Sequence, residues 1–232
     1  MAMDEYARHF PVVEVQQTFY EPPSEAVMRR WLAAMPMGFE FTLKAWQLIT
    51  HESKSPTYRR LKRALNDQER ASCGGFRDSA IVRAALERTL SCAKLLRATT
   101  LLFQCPASFD PEPDKVARLR HFIDHVVRPQ CPAGLRLAWE PRGSAWTKRA
   151  ELAVELCRDL GLVYVVDPFV DAIRSTAGPA YLRLHGVSGA RHVYTDDELR
   201  RLADMTPPDA HVMFNNIPRV KDAQRFNALL AA

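Results

Sequence analysis

Few cysteines occur in this chain, and none is placed for the work that paired cysteines do. Cys73, Cys92, Cys105, Cys131 and Cys157 are odd in number, widely spaced and free of any CxxC pair. That argues against a disulfide framework or a zinc ribbon and fits a reducing cytoplasm. Long apolar runs are missing as well. No uninterrupted stretch approaches the roughly 20 residues a membrane helix needs, and the opening MAMDEYARHF has no apolar core of signal-peptide type. A soluble, cytoplasmic protein with no membrane contact is expected. There is no P-loop or dinucleotide fingerprint, and no HxxxH or HxH spacing joins the strand-end candidates Glu14, Glu140, Asp167 and His185, so neither a cofactor nor a metal is expected. Charge of one sign is scarce too: 32 basic against 27 acidic residues leave +5. This leans toward anionic ligands but falls short of the density of a dedicated DNA-binding domain.

What the sequence does have is a repeated unit of apolar strand, loop and amphipathic helix. VVEVQQTFY, from Val12 to Tyr20, reads as a strand stopped by Pro22 and Pro23, and Ser24 then caps a helix carrying Val27, Met28, Trp31, Leu32 and Met35. Further strands are expected at FEFTLKA, TTLLFQ, LRLAWE, VYVV, AYLRLHG and HVMFNN. Helices are expected over 79–96, 114–127, 148–160 and 222–230, with a capping box at Thr195 and Glu198. Seven strands separated by helices, with runs such as VYVV that do not alternate, suit parallel strands buried on both faces. An eight-stranded (β/α) barrel typically needs about 250 residues. The residues before the first strand read as a helix end, so the sheet has lost its first strand, closes with seven, or stays open as a doubly wound sheet. One domain over 1–232 is expected, with a helical basic insertion at about 46–98.

In parallel barrels the chemistry stands at the carboxyl ends of the strands. That rule selects Glu14, Gln16, Lys44, Glu140, Arg142, Asp167, His185, Asn215 and Asn216. Strand-end charges also serve as caps and salt-bridge partners. Asp167-Pro168 and Asn215-Asn216-Ile217-Pro218 have ordinary readings as turn chemistry. Glu140-Pro141-Arg142 holds its strand end extended, and His185 ends a core strand beside Gly186. A divalent metal on Glu14, Glu140, Asp167 and His185 is the weaker reading. The loop GVSGAR, 186–191, is small enough to cradle an anion before a helix. In the insertion, Lys54, Arg59, Arg60, Lys62 and Arg63 face a single acid, Glu52. Such a run is ordinarily a solvated helix face; the alternative is a basic lid for a phosphate backbone.

The ordered set VVEVQQTFYEPPS, FEFTLKA…ITH, LAWEPRGSAW, YLRLHG with Tyr194, and FNN resembles the domain of unknown function 72, the YecE-like family, over about 6–230. The resemblance implies a TIM-type (β/α) barrel. It also implies a site at Glu14, Lys44, His51, Glu140, Arg142, His185 and Asn215, without naming a reaction. The chain departs from the family by lacking its usual GTSGW-type first strand, and by carrying Gln16 where the family has asparagine.

The functional expectation is an enzyme of hydrolase or lyase type acting on a phosphate-bearing or sugar-like, anionic or polar small molecule. Glu14, Lys44, Glu140 and His185 are the expected catalytic groups, with Glu14 or Glu140 as base, His185 as acid, and Lys44 with Arg142 stabilising negative charge. Gln16, Tyr20, His51, Arg142, Trp146, Arg183, Tyr194 and Asn215 are expected to bind substrate. The alternative is a non-catalytic module that binds nucleic acid or another polyanion. Oligomeric state is not legible.

Overall fold

The computed structural model describes residues 3–231. Seven strands, β1 (Val12–Val15), β2 (Glu40–Lys44), β3 (Thr100–Gln104), β4 (Arg136–Glu140), β5 (Val163–Val166), β6 (Tyr181–Leu184) and β7 (His211–Phe214), pair in chain order. Every pairing is parallel. The helices are α1 (Met3–Ala7), α2 (Gln17–Tyr20), α3 (Glu25–Ala34), α4 (Gln47–Thr50), α5 (Asp67–Ser72), α6 (Ala80–Leu96), α7 (Pro113–His121), α8 (Ser144–Thr147), α9 (Ala150–Asp159), α10 (Asp196–Met205) and α11 (Arg219–Leu230). This is the TIM-type arrangement, nearly closed with seven strands. No helix among the described residues is long and apolar enough to cross a membrane.

The two-residue period of each strand divides its side chains between two cores. Phe41, Leu43, Leu101, Phe103, Leu137 and Trp139 point outward and join the large cluster under the helices, where α6 contributes Val82, Leu86 and Leu90. Each such side chain contributes about 1.5–3 kcal/mol when fully buried. The intervening positions fill the barrel, with Leu102, Ala138, Val163, Val165, Tyr181 and Met213 in a smaller apolar plug. Polar groups lie at either end of that plug. At the amino end, Glu40 accepts from His211 Nε2 at 2.9 Å and Arg136 at 3.3 Å, and also from the Thr99 hydroxyl.

Among the described residues neither β1 nor β7 has a second strand partner, and the two do not pair with each other. A groove of about 1220 Å³ runs between them, lined by Val12, Glu14, His211 and Met213 and by Phe226 of α11. Side chains bridge the gap instead of backbone. His211 of β7 reaches Glu40 of β2, and Tyr181 and Arg183 of β6 reach Glu14 of β1.

Two local expectations are corrected. The first strand ends at Val15 and not at Tyr20, because Gln16 turns into the right-handed helical region (φ −75°, ψ −25°). Thr18 then donates its hydroxyl to the carbonyls of Val15 (2.8 Å) and Lys44 (2.7 Å), folding α2 over the end of β2. The basic run of the insertion, expected to be a helix face, forms only a 3₁₀ turn, Pro56–Arg60, started by the Ser55 cap. Asn66 then caps α5 through a capping box with Glu69. The box at Thr195 and Glu198 forms as its spacing requires.

Candidate functional site

Arg183 organises the carboxyl end of the barrel. Its side chain comes from β6 and is 1% exposed. A guanidinium has five N–H donors, and here each has an acceptor. Nε donates to Glu14 Oε2 at 3.0 Å; one terminal nitrogen donates to Gln104 at 3.0 Å and to Glu140 Oε2. The other donates to Glu14 Oε1 at 2.6 Å and to Asn215 at 3.2 Å. The remaining capacity of Glu14 is taken by the Tyr181 hydroxyl at 2.7 Å and the Gln16 amide. Glu140 gives its other oxygen to His185 Nε2 at 2.9 Å, with Arg142 at 3.8 Å. Burial alone would push the Glu140 carboxyl up, but Arg183, His185 and Arg142 hold it down at about 2. The Glu140 carboxylate is therefore ionised and a poor proton acceptor, and the oxygens of both carboxylates are taken up by donors.

Open chemistry belongs to their neighbours. A cavity of about 680 Å³ lies over this network, lined by Lys44, His51, Arg142, His185 and Asn215, with Ser55 and Thr57 supplied by the insertion. Lys44 is 5% exposed. Its ammonium nitrogen sits 3.7 Å from the centre of the Phe19 ring, and among the described residues it has no hydrogen-bond or ion-pair partner. Burial and the neighbouring Arg183 bring its pKa down to about 7, against the opposing pull of Glu14 and Glu140. Burial, then Lys44 and Arg142, likewise bring His51 down to about 3. His51 is thus a neutral group, with Nδ1 2.8 Å from the Thr50 hydroxyl. His185 turns one ring nitrogen to the ionised Glu140. Because an ionised carboxylate only accepts, that contact fixes a hydrogen on Nε2.

The structure gathers Glu14, Gln16, Tyr20, Lys44, His51, Glu140, Arg142, Arg183, His185 and Asn215 around this mouth, with Tyr20 at the rim under the Arg60 guanidinium. Two expected binding residues are elsewhere. Trp146 is buried edge-on against Trp139, with its indole N–H bonded to the Phe109 carbonyl, because α8 turns it into the outer core. Tyr194 is buried beside α10, and its hydroxyl accepts from the Gly186 amide at 2.9 Å. Asp167 accepts from the amides of Phe169 and His185 and so fixes the β6 end. Asn216 donates to Asp222 at 2.6 Å beneath the surface. The loop at 186–191 does not lead to an anion site, since the helix that follows carries Asp196, Asp197 and Glu198 in its first turn. Among the described residues no three His, Cys, Asp or Glu side chains are grouped to hold a metal.

Gln104, Thr42 and Phe19 belong to the mouth or its floor without having been singled out. Gln104 ends TTLLFQ, so the strand-end rule contained it. Thr42, 2.8 Å from the Tyr181 hydroxyl, shares a strand face with Lys44. Phe19 became visible only once the chain turned at Gln16.

A family model described as "Protein of unknown function DUF72" matches residues 2–232. Among solved structures, a DUF72 family protein from Enterococcus faecalis is similar at TM-score 0.70 and 18% identity, over 100% of this chain and 89% of that one. A DUF72 family protein from Thermotoga maritima gives 0.67 and 20%, over 100% and 91%. A xylose isomerase domain containing protein from Salmonella typhimurium gives 0.60 and 15%, over 100% and 93%. At these identities the likeness establishes the fold. None of the curated proteins matches the chain.

Proposed function

Because the chain belongs to the DUF72 family, whose description names no reaction, we propose its activity from the chemistry of its own mouth: an acid/base enzyme of lyase type that abstracts a proton from a small, sugar-like, anionic substrate. The observation that carries this reading is the Arg183–Glu140–His185 chain, with 2.9 Å between the last two. Arg183 keeps Glu140 ionised, Glu140 orients the imidazole, and His185, which lines the cavity, acts as the base. Arg142, at the rim, anchors the anionic group, and Lys44 opposite delivers a proton to the developing oxyanion.

Glycoside hydrolysis fits less well. It calls for two carboxyl groups free to act on either side of the bond, whereas one arginine bridges Glu14 and Glu140 here. Neither carboxylate is the base; both position other groups. Incubation with sugar phosphates and hydroxy acids in heavy water, followed by NMR, tests the proposal. Deuterium exchange at a carbon acid is expected with the wild type and not with His185→Gln. Equal exchange in both proteins would remove His185 from its role.

A second reading, a polyanion-binding module, draws on Lys54, Arg59 and Lys62, exposed beside the mouth. Arg63 is engaged by Glu69 and Arg60 by Tyr20, which leaves this surface thinner than the sequence run suggests. Binding to a nucleic acid that weakens steeply with salt would favour it.

A further inference from the structure

We propose that Lys44 captures carbonyl compounds: its amine forms an imine with the aldehyde or ketone carbon of a small anionic substrate held in the mouth. The proposal rests on the reading of the mouth as a reaction site, adds the substrate class, and gives Lys44 covalent capture of the carbonyl in place of proton delivery to an oxyanion. Its basis is geometric. Lysine ammonium groups are almost never fully buried unless paired. Lys44 is buried at the end of β2, against the face of Phe19, with no carboxylate in contact among the described residues and its nitrogen toward a cavity of about 680 Å³. The acids that would ordinarily pair it are already spent. Glu14 and Glu140 both turn to Arg183.

The charged groups around the amine are Arg183 from β6, Glu14 from β1, Glu140 from β4 and Arg142 from the loop after β4, with neutral His51 beside them. An amine in such a place is a nucleophile in the way that lysines beside another cation are. At its pKa of about 7, its uncharged fraction at neutral pH exceeds that of an ordinary lysine by roughly a thousandfold.

In the step itself, the uncharged amine attacks the carbonyl carbon and a C–N bond forms. The C=O electron pair moves to oxygen, which takes a proton from the attacking nitrogen. The carbinolamine hydroxyl then takes a second proton, from solvent, and leaves as water while the nitrogen lone pair forms the C=N bond. The protonated imine accepts the electrons released when His185 removes a proton from the neighbouring carbon. Arg142 is the partner for a carboxylate or phosphate on the substrate. Glyoxal-type, keto-acid and keto-sugar phosphate compounds share this pattern of a carbonyl next to an anionic group.

Trapping tests the proposal. The full chain is incubated at pH 7 with pyruvate or dihydroxyacetone phosphate and sodium cyanoborohydride, which delivers hydride to the imine carbon, and the adduct is located by peptide mass spectrometry. A single adduct at Lys44 is expected, at least about tenfold above any of the other lysines, which act as internal controls. It should disappear in Lys44→Arg, which keeps the charge and loses the nucleophile, while thermal unfolding verifies that the variant is folded. Adducts spread evenly over surface lysines, or no adduct with either probe, would overturn the proposal. The two claims fail separately. Exchange that depends on His185 without any adduct at Lys44 removes the imine and leaves the acid/base reading; loss of both removes the mouth as a reaction site.

Discussion

Replacing Arg183 by methionine removes the cation but keeps much of the volume, leaving Glu14 and Glu140 facing each other inside the barrel. In the wild type all five guanidinium donors are used, two charged partners are contacted, and the side chain is 1% exposed. Breaking a buried ion pair from one side costs about 3–5 kcal/mol, because the remaining charge stays buried without compensation. Arg183 is also the leading cause that holds the Glu140 carboxyl at about 2 against burial. Without it, burial prevails and the carboxyl titrates above its ordinary value. The sign of the pH dependence follows. In the wild type a depressed carboxyl contributes stability that is present above its unfolded pKa and lost as the pH falls toward 2. In the variant the penalty is full above the raised pKa and shrinks as the pH falls through it, since the protonated acid sheds its charge. Urea unfolding at pH 7.5 and pH 5 measures both effects. A variant that loses about 3–5 kcal/mol at pH 7.5 and distinctly less at pH 5 agrees with the network. A loss under about 1 kcal/mol, equal at both pH values, would refute it. Arg183→Lys should recover little, because an ammonium has three donors and no planar fork.

Lys44→Met is expected to stabilise the fold by about 1–3 kcal/mol while abolishing activity, since it removes a buried amine with no polar partner. The depressed Lys44 pKa makes this cost of the native lysine full below about 7 and absent above its unfolded value, so calorimetry should show a larger gain at pH 6 than at pH 9. Glu40→Gln is expected to cost about 1.5–3 kcal/mol at pH 7 through lost charged hydrogen bonds. Because the His211 bond lowers the Glu40 carboxyl, that contribution is present above the unfolded pKa and is lost as the pH falls through the lowered folded value; urea titrations should show a narrower gap between wild type and variant at pH 4 than at pH 7. The site is at the amino end of the barrel, so the catalytic readout should be unchanged. Gly186→Ala should cost more than about 1 kcal/mol. Gly186 has φ +90°, and a Cβ there would stand 2.2 Å from the Gly189 carbonyl. A melting temperature matching the wild type would contradict that strain.

Much of the barrel was legible because parallel strands buried on both faces leave continuous apolar runs, and six of the seven fell close to their expected places. The exception shows what periodicity misses. QTFY is rich in strand-favouring residues, but the bonds from Thr18 to Val15 and Lys44 link segments far apart in sequence, and they turn the chain into α2. The strand-end rule located Glu14, Lys44, Glu140 and His185, since it depends only on position along a strand. It could not assign their roles. Glu14 and Glu140 look like bases in sequence, and only the placement of Arg183 between them shows their lone pairs to be occupied. Trp146 and Tyr194 were misplaced for the converse reason: proximity to a strand end in sequence does not say toward which side of the barrel wall a side chain turns.

The central claim is that the mouth holds a reactive amine beside a carboxylate-oriented histidine, and the ionisation of Lys44 tests it most directly. The chain has seven lysines, few enough for each Cε signal to be resolved after labelling with carbon-13 at that position, with Lys44→Arg identifying the signal of interest. The account predicts that Lys44 titrates near 7. A Lys44 signal that titrates near the value of about 10.4 of a free lysine side chain in water would contradict it.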